Sequence, residues 1–402
     1  MISVSKATEI VLNNLFAPGI VAVKLMDACG RVLQEEVRAD RDFPPFDRVT
    51  MDGIAYQYKT WEKTKNPLPV EGVQMAGTPR LSLKNAAACL EVMTGAMLPE
   101  NTDTVTRYED VEFSEENGQK IAKIKIPPQP GQDIHQQGID RKKGNILLWP
   151  GQKLGPAEIA VAATVGKTIL KVSAWPHIAL ITTGDELVPI SETPQPYQIR
   201  QSNVHALHAA LDTMNVPAQL LHFPDNKEAI TRGVQQALAE NDVLILSGGV
   251  SKGKRDYVPE ALEASGVNKH FHRVEQRPGK PFWFGTATRG KTIFALPGNP
   301  VSTFMCFYRY VRPWLLRAVG LPAPSPLSAI LQEDVRFEPP LTYFLQVKLQ
   351  HEAGKLLAQP FQGHGSGDFA NLMLCDGFLE LPPDRNHFKA GENFPLILFR
   401  EI

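Results

Sequence analysis

Unbroken apolar runs separated by amphipathic segments dominate residues 176–320. The apolar runs are HIALIT, DVLILS and TIFALPG, and segments with helical periodicity such as KEAITRGVQQALAE lie between them. A strand whose interior has no polar residues must be covered on both faces, as in a parallel sheet with helices on either side. The pattern therefore predicts a three-layer α/β domain over residues 176–326.

The rest of the chain predicts three further parts. Residues 46–138 contain short alternating stretches broken by Pro and Gly, a pattern typical of a small β domain. Residues 1–45 and 139–175 predict one domain of helix and strand, with the β domain inserted into it and a second apolar-periodic helical stretch at Val23–Val37. After the segment LPAPSPLS, residues 327–402 predict a C-terminal β barrel or sandwich. The overall class is α/β plus β.

Composition excludes several classes of partner. Lys and Arg total 42 and Asp and Glu total 43, so the net charge of -1 gives no electrostatic reason to expect a nucleic acid or an anionic membrane. The four cysteines are far apart in the sequence and form no CxxC pair, which argues against a disulfide framework or a structural zinc site. The chain has no apolar run of membrane-spanning length and begins without a leader pattern, so we expect a cytoplasmic protein.

Polar and glycine-rich loops follow the predicted parallel strands, where open α/β sheets bind ligands. These loops are Thr183–Glu186, Ser247–Gly253 with Asp256 beyond it, and Pro297–Pro300, and RPGKP adds two cations at Arg277 and Lys280. Together they predict a phosphorylated ligand held with a divalent cation, since carboxylates suit Mg²⁺ and Lys and Arg suit phosphates. The alternative is that Asp185 and Asp256 only cap helices. Asp225 and Glu228 have the spacing of a capping box, which predicts that Asp225 caps the helix KEAITRGVQQALAE.

A set of motifs running through nearly the whole chain resembles the molybdopterin molybdenumtransferases, the MoeA family, which includes the E domain of gephyrin. The motifs are FPPFDRVTMDG, VMTGAMLPENTDTV, GIDRKKGNILLWPGQKL, ITTGDEL, ILSGGVSKGKRDYV, RPGKPFWFG and ALPGNPVS. The resemblance implies an elongated four-part subunit with a MogA-like α/β domain and a C-terminal β barrel. It also implies a homodimer whose cleft is shared between the α/β domain of one subunit and the N-terminal domains of the other.

The reaction that this resemblance implies is insertion of molybdate into adenylylated molybdopterin, with Mg²⁺-dependent release of AMP. The implied catalytic residues are Asp52, Asp140, Glu186, Asp225, Asp256 and Lys280. The implied substrate-binding residues are Thr94, Gly248, Gly249, Ser251, Arg277, Pro297, Pro300 and Ser366. The best candidates for holding Mg²⁺ are Asp185, Glu186 and Asp256.

Some positions and some functions stay open at this stage. His135, Gln136 and Gln137 stand where many relatives carry arginines, so anion binding there depends on protonation of His135. A molybdopterin adenylyltransferase is a second enzyme reading, but it does not account for the MDG and MTG segments; such an enzyme is also a candidate partner. A scaffold or binding protein is the third reading, although this chain keeps all the acidic residues assigned to the site.

Overall fold

The computed structural model describes residues 1–250, 257–322, 326–361, 365 and 367–400. The chain divides into two compact units. The larger unit comprises Met1–Gln34, Gly151–Gly155 and Ile169–Ile402, and the smaller unit comprises Glu35–Pro150 and Pro156–Thr168. Among the described residues, no helix is both long enough and apolar enough to cross a bilayer.

The helices and strands follow in chain order. The α-helices of the described residues are α1 (Val4–Asn13), α2 (Tyr58–Thr64), α3 (Pro156–Thr164), α4 (Ser202–Asp212), α5 (Lys227–Glu240), α6 (Val258–Ala264), α7 (Pro300–Cys306) and α8 (Arg312–Ala318). The strands are β1 (Ile20–Lys24), β2 (Val37–Arg38), β3 (Arg48–Val49), β4 (Gly53–Tyr56), β5 (Leu68–Gln74), β6 (Cys89–Val92), β7 (Thr104–Arg107), β8 (Val111–Glu116), β9 (Gln119–Ile124), β10 (Ile134–His135), β11 (Ile146–Leu148), β12 (Ile169–Ser173), β13 (Ile178–Thr183), β14 (Leu187–Val188), β15 (Ile199–Arg200), β16 (Ala218–Phe223), β17 (Val243–Ser247), β18 (Asn268–His272), β19 (Gln276–Arg277), β20 (Trp283–Thr286), β21 (Thr292–Leu296), β22 (Leu327–Leu331), β23 (Val335–Arg336), β24 (Thr342–Glu352), β25 (Lys355–Pro360), β26 (Gly377–Leu381), β27 (His387–Phe388) and β28 (Asn393–Leu398).

The α/β part of the larger unit is a six-stranded sheet in the order β16-β13-β17-β21-β20-β18. Its first four strands are parallel, β20 runs antiparallel to β21, and the last strand β18 runs antiparallel to β20. Every residue of β13, β17 and β21 is buried. Leu180 and Ile245 pack with residues of α4, α7 and α8, whereas Ala179 and Leu244 pack with α5 and α6. The predicted three-layer arrangement is therefore confirmed.

The C-terminal part of the larger unit is a closed barrel. Its strands pair in the order β24-β25-β22-β28-β26, and β26 pairs again with β24. Side chains such as Leu331, Val347 and Leu379 fill the interior. Of the two predicted architectures, the structure has the barrel. The short strand β19 pairs in parallel with β24 and so attaches the RPGKP segment to the barrel.

The smaller unit is built on a six-stranded sheet in the order β7-β4-β6-β5-β9-β8. Ile54 and Tyr56 of β4 pack against Trp61 of α2 and Cys89 of β6 in its core. This agrees with the β structure predicted from the alternating pattern of residues 46–138. The central strand β4 pairs with both β6 and β7, and the MDG segment leads directly into it.

The prediction of a helix at Val23–Val37 is wrong. The β-branched run Ile20–Lys24 forms β1, which pairs with β12 in the antiparallel direction, and a single 3₁₀ turn follows at Leu25–Asp27. Gly30 then has a φ of +83°, which a continuing helix does not allow. A long-range strand partner, which local periodicity does not reveal, determines the structure here.

We expect Gly53→Ala to destabilise the smaller unit by roughly 3 kcal/mol, the upper end of the usual cost of overpacking. A Cβ atom at Gly53 would lie 2.0 Å from the carbonyl oxygen of Thr106 on the neighbouring strand, a backbone atom that cannot move aside cheaply. Urea unfolding measures the effect. The matched control is Gly72→Ala, where the nearest atom to the new Cβ would be Leu90 Cδ2 at 3.5 Å. Equal free energies of unfolding for the two variants would contradict the packing argument.

Candidate functional site

The parallel strands of the larger unit end side by side. Thr182 of β13 is in register with Ser247 of β17, and Ser247 is in register with Leu296 of β21. The loops that follow enclose a crevice of about 90 Å³ at this edge of the sheet. Predicted site residues Glu186, Gly248 and Pro300 all line it. The fold thus brings together three segments that are more than 50 positions apart in the sequence.

The Gly248–Gly249 turn needs both glycines. Their φ angles are +101° and +68°, a region that residues with a Cβ rarely adopt. A Cβ at Gly249 would also lie 2.6 Å from Val258 Cγ2 and 2.8 Å from Thr183 Oγ1. The N–H of Gly248 donates to the carbonyl oxygen of Leu296, so that amide is engaged at the sheet edge in this structure.

The acidic loop after β13 is held by specific contacts. Asp185 Oδ1 accepts a hydrogen bond from the backbone N–H of Asp225 at 3.0 Å, which joins the ends of β13 and β16. Gly184 has a φ of +139°, and a Cβ there would lie 2.5 Å from Glu186 Oε2, so the Glu186 side chain folds back over the glycine. The predicted cap at Asp225 is wrong, because Asn226 caps α5 by accepting from the N–H of Ala229.

A larger cleft of about 960 Å³ lies in the same unit, between the RPGKP segment and the barrel. Predicted residues Arg277, Lys280 and Pro297 line it, and Gly298 borders both this cleft and the crevice. The barrel contributes Arg336, a cation that sequence reasoning missed because the pattern of β23 gives no sign of the cleft.

The turn that presents Arg277 and Lys280 is fixed by the buried side chain of Gln276. Its Nε2 donates to the carbonyl oxygen of Gly279 at 2.9 Å, and its Oε1 accepts from the hydroxyl of Tyr310 at 2.5 Å. The guanidinium carbon of Arg277 lies 5.9 Å from the ring centroid of Phe337, within cation–π range. Both ends of the cationic segment are therefore positioned before any ligand binds.

In the smaller unit, two hydrogen bonds join Asp52 and Thr94. The backbone N–H of Thr94 donates to Asp52 Oδ1 at 2.6 Å, and its hydroxyl donates to the same oxygen at 2.8 Å. These donors, the backbone N–H first, lower the pKa of the Asp52 carboxyl below its ordinary value. The MDG and MTG motifs are thus adjacent, and Asp52 is held as a carboxylate on the surface.

Asp140 belongs to a second cluster in that unit. His135 Nε2 lies 3.0 Å from Asp140 Oδ1, and His135 Nδ1 lies 3.1 Å from Arg48 Nη2. Because a guanidinium only donates, Nδ1 must accept from Arg48, and the ring proton on Nε2 is donated to Asp140. In this arrangement the fixed positive charge is that of Arg48. The predicted protonation of His135 at an anion site stays a prediction.

The predicted residues that the structure describes therefore fall into two groups. The larger unit holds Asp185, Glu186, Asp225, Gly248, Gly249, Arg277, Lys280, Pro297 and Pro300, and the smaller unit holds Asp52, Thr94 and Asp140. Ser251, Asp256 and Ser366 lie outside the described residues. Sequence reasoning also missed Asn203 as a crevice residue. Its position at the start of an amphipathic helix was the only available signal.

Three family models together match almost the entire chain. Residues 2–166 match the "MoeA N-terminal region (domain I and II)", residues 179–317 a "Probable molybdopterin binding domain", and residues 328–399 the "MoeA C-terminal region (domain IV)". The fold and these matches define a multidomain protein of molybdenum cofactor biosynthesis.

Full-length relatives identify the family. The chain is 41% identical over 400 residues to a molybdopterin molybdenumtransferase of Synechocystis, covering 98% of this chain and 99% of the relative. It is 32% identical over 388 residues to that of Bacillus subtilis, covering 94% and 90%. The crystal structure of a MoeA protein of molybdopterin biosynthesis from Pyrococcus horikoshii has a TM-score of 0.85 at 32% identity and full coverage of both chains. The chain belongs to the MoeA family, and the prediction of a transferase family is confirmed.

We expect Asp52 to titrate below its reference pKa of ~3.9, and Thr94→Val to move the value part of the way back. The variant removes the hydroxyl donor but keeps the backbone donor, which is the larger cause of the shift. Since the folded-state pKa is lowered, the contact is fully present above the ordinary value and is lost as pH falls through the folded-state pKa. NMR titration of the carboxyl carbon measures this, with Thr94→Ser as the control that keeps the hydroxyl. If the Asp52 carboxyl of the wild-type protein titrates at the reference pKa, its hydrogen bonds with Thr94 are refuted.

Proposed function

We propose that this chain inserts molybdate into adenylylated molybdopterin and releases AMP by Mg²⁺-dependent hydrolysis, in the cytoplasm. The observation that carries the proposal is the border between a crevice that presents a carboxylate beside Arg200 and a cleft in which three cations outnumber Glu338. Glu186 lines the crevice, Arg277 and Lys280 line the cleft, and Gly298 borders both. Such an arrangement suits a substrate whose phosphate chain carries a cation at one point and meets an oxyanion at another. The names and full-length similarity of the relatives support the same reaction.

The acidic loop fits Mg²⁺. Asp185 and Glu186 are adjacent carboxylates directly after β13, and they are the residues that would hold Mg²⁺, which proteins usually bind through one or two carboxylates. When bound there, Mg²⁺ would supply neutralisation of the phosphate charge. The hydrogen bond from Asp225 to Asp185 holds the loop in place without requiring the ion.

The side chains of this chain then have separate tasks. Arg277 and Lys280 bind molybdate or phosphate oxygens as fixed cations. Glu186 accepts a proton from the water that attacks the phosphorus atom of the adenylate. The phosphoanhydride bond breaks, AMP leaves with the new oxygen, and the pterin product keeps its own phosphate. Gly248 and Gly249 allow the substrate to approach the backbone closely.

The test is AMP release from adenylylated molybdopterin by purified protein with Mg²⁺, in the presence and absence of molybdate. Release that depends on molybdate supports the proposal. Adenylylation of molybdopterin by this protein would instead favour the sister adenylyltransferase reaction. A protein that shows neither of these two activities would favour the scaffold hypothesis. Because the substrate is an adenylylated pterin, an adenylyltransferase must supply it, and we propose that enzyme as a partner.

We expect Glu186→Gln to fold normally and to lose AMP release by roughly 100-fold or more, the range of general base catalysis. The substitution keeps the size of the side chain and removes only the carboxylate. The matched control is Glu192→Gln, an exposed residue of the segment that follows the same loop. Turnover and melting temperature are measured for both. Turnover near that of the wild-type protein in Glu186→Gln would contradict the assigned role.

We further propose a homodimer, on the evidence of apolar surface in each unit. In the smaller unit, α3 has the sequence PAEIAVAAT, and only Ala162 of it is buried. In the larger unit, Ile20 of β1 and Ile169 of β12 are 60% and 55% exposed. Exposed apolar side chains on one helix and on one strand pair suit an interface with another protein chain. In the dimer, the larger unit of one subunit and the smaller unit of its partner would share the active cleft.

Ala160→Arg is expected to convert the dimer to a monomer, because it places a charge in the exposed apolar part of α3. Arginine favours helices, so the subunit fold should persist. Sedimentation velocity at micromolar concentration measures the change, with Gln235→Arg on the exposed side of α5 as control. A wild-type protein that sediments only as a single chain would overturn the dimer, and a dimeric Ala160→Arg variant would move the interface away from α3.

A further inference from the structure

Two polar atoms in the crevice have no hydrogen-bond partner among the described residues. They are Thr183 Oγ1 and Asn203 Oδ1, which are both buried from solvent. Thr183 is the last residue of β13 and is only 5% exposed, and both residues line the same space of about 90 Å³. A buried polar group without a partner is costly and needs an explanation.

The orientation of Asn203 is fixed by its neighbours. Its Nδ2 donates to the carbonyl oxygen of Gly298 at 2.8 Å and to the hydroxyl of Ser247 at 2.9 Å. A carbonyl oxygen cannot donate, so the atom facing Gly298 must be the nitrogen, and Oδ1 must be the atom left without a donor. An amide oxygen only accepts, so its missing partner is an N–H or O–H group.

The fold itself does not need the hydroxyl of Thr183. Valine has nearly the same shape and would leave no buried hydroxyl without a partner, in a strand where the other residues except Thr182 are apolar. A Cβ at Gly249 would come within 2.8 Å of this hydroxyl, so the glycine keeps the turn from crowding it. Within the described part of the chain, both side chains therefore lack a hydrogen-bond partner that a bound ligand could provide.

We propose that Thr183 and Asn203 bind the polar edge of a heterocycle of the substrate and so determine its specificity. The ligand would present an N–H to Asn203 Oδ1 and an acceptor to the hydroxyl of Thr183. This inference rests on the proposed function, because the adenylylated substrate carries two such edges, the amide edge of the pterin and the amino edge of adenine. A crevice of about 90 Å³ admits the edge of one ring.

The experiment is direct binding to the full chain, by calorimetry, of two separate probes: AMP, and molybdopterin without the adenylate. We expect Thr183→Val to weaken binding of one probe by about three- to tenfold, the value of a neutral hydrogen bond, and to leave the other unchanged. The probe that is affected identifies the ring. The melting temperature should stay the same or rise, because the variant removes a buried hydroxyl without a partner. Thr183→Ser keeps the hydroxyl and should retain the wild-type affinity.

The matched control is Thr292→Val at the opposite end of the same sheet. The hydroxyl of Thr292 donates to the carbonyl oxygen of Gly290, so this variant should lose stability and keep its affinity for both probes. Unchanged binding of both probes by Thr183→Val, or no binding of either by the wild-type protein, would overturn the inference. Turnover is measured separately. A wild-type protein that binds one probe through Thr183 but releases no AMP would refute the proposed function alone.

Discussion

The parallel register of β13, β17 and β21 is the constraint on which the site in the larger unit depends. These three strands are buried on both faces. None of them can slide against its neighbour without exposing apolar side chains and burying loop residues. The register sets Thr182, Ser247 and Leu296 side by side. The loops that follow must therefore meet. The acidic loop, the glycine turn and the start of α7 are neighbours for this reason.

The barrel depends on a second, smaller constraint. Gln276 is fully buried, and both ends of its side-chain amide are hydrogen-bonded, to Gly279 and Tyr310. Because β19 also pairs with β24, the segment that contains Arg277 is fixed to the α/β core and to the barrel at once. A glutamine in this setting is costly unless every bond is made, which gives the turn one defined geometry. Arg277 and Lys280 form no ion pair with any described residue, and the neutral hydrogen bonds of Gln276 position their segment, which leaves their charge available to an anion.

The sequence predicted those features that are determined locally or by uniform burial. Unbroken apolar runs predicted the parallel sheet, and alternation predicted the β structure of the smaller unit and of the barrel. Contacts between distant residues were not predictable. Arg48 and His135 are 87 positions apart, and only the pairing of β3 with β10 brings them together. The capping oxygen at α5 was assigned one residue too early, since Asp225 and Asn226 are both good caps and the choice depends on the tertiary contact with Asp185.

Features that lower the stability of the fold are concentrated at the crevice and not in the middle of the described strands that support it. Gly248 and Gly249 adopt backbone angles that only glycine adopts readily, and Thr183 and Asn203 bury polar atoms that have no partner in the part of the chain that the structure describes. Each of these features costs folding free energy, and apolar or larger residues elsewhere in the same strands avoid that cost. Strained backbone angles and buried polar atoms are typical of functional sites, where the free energy of ligand binding offsets their cost in folding free energy. The surrounding strands contribute fully buried apolar residues, so the sheet is stable enough to hold a crevice whose polar atoms are satisfied only when it is occupied.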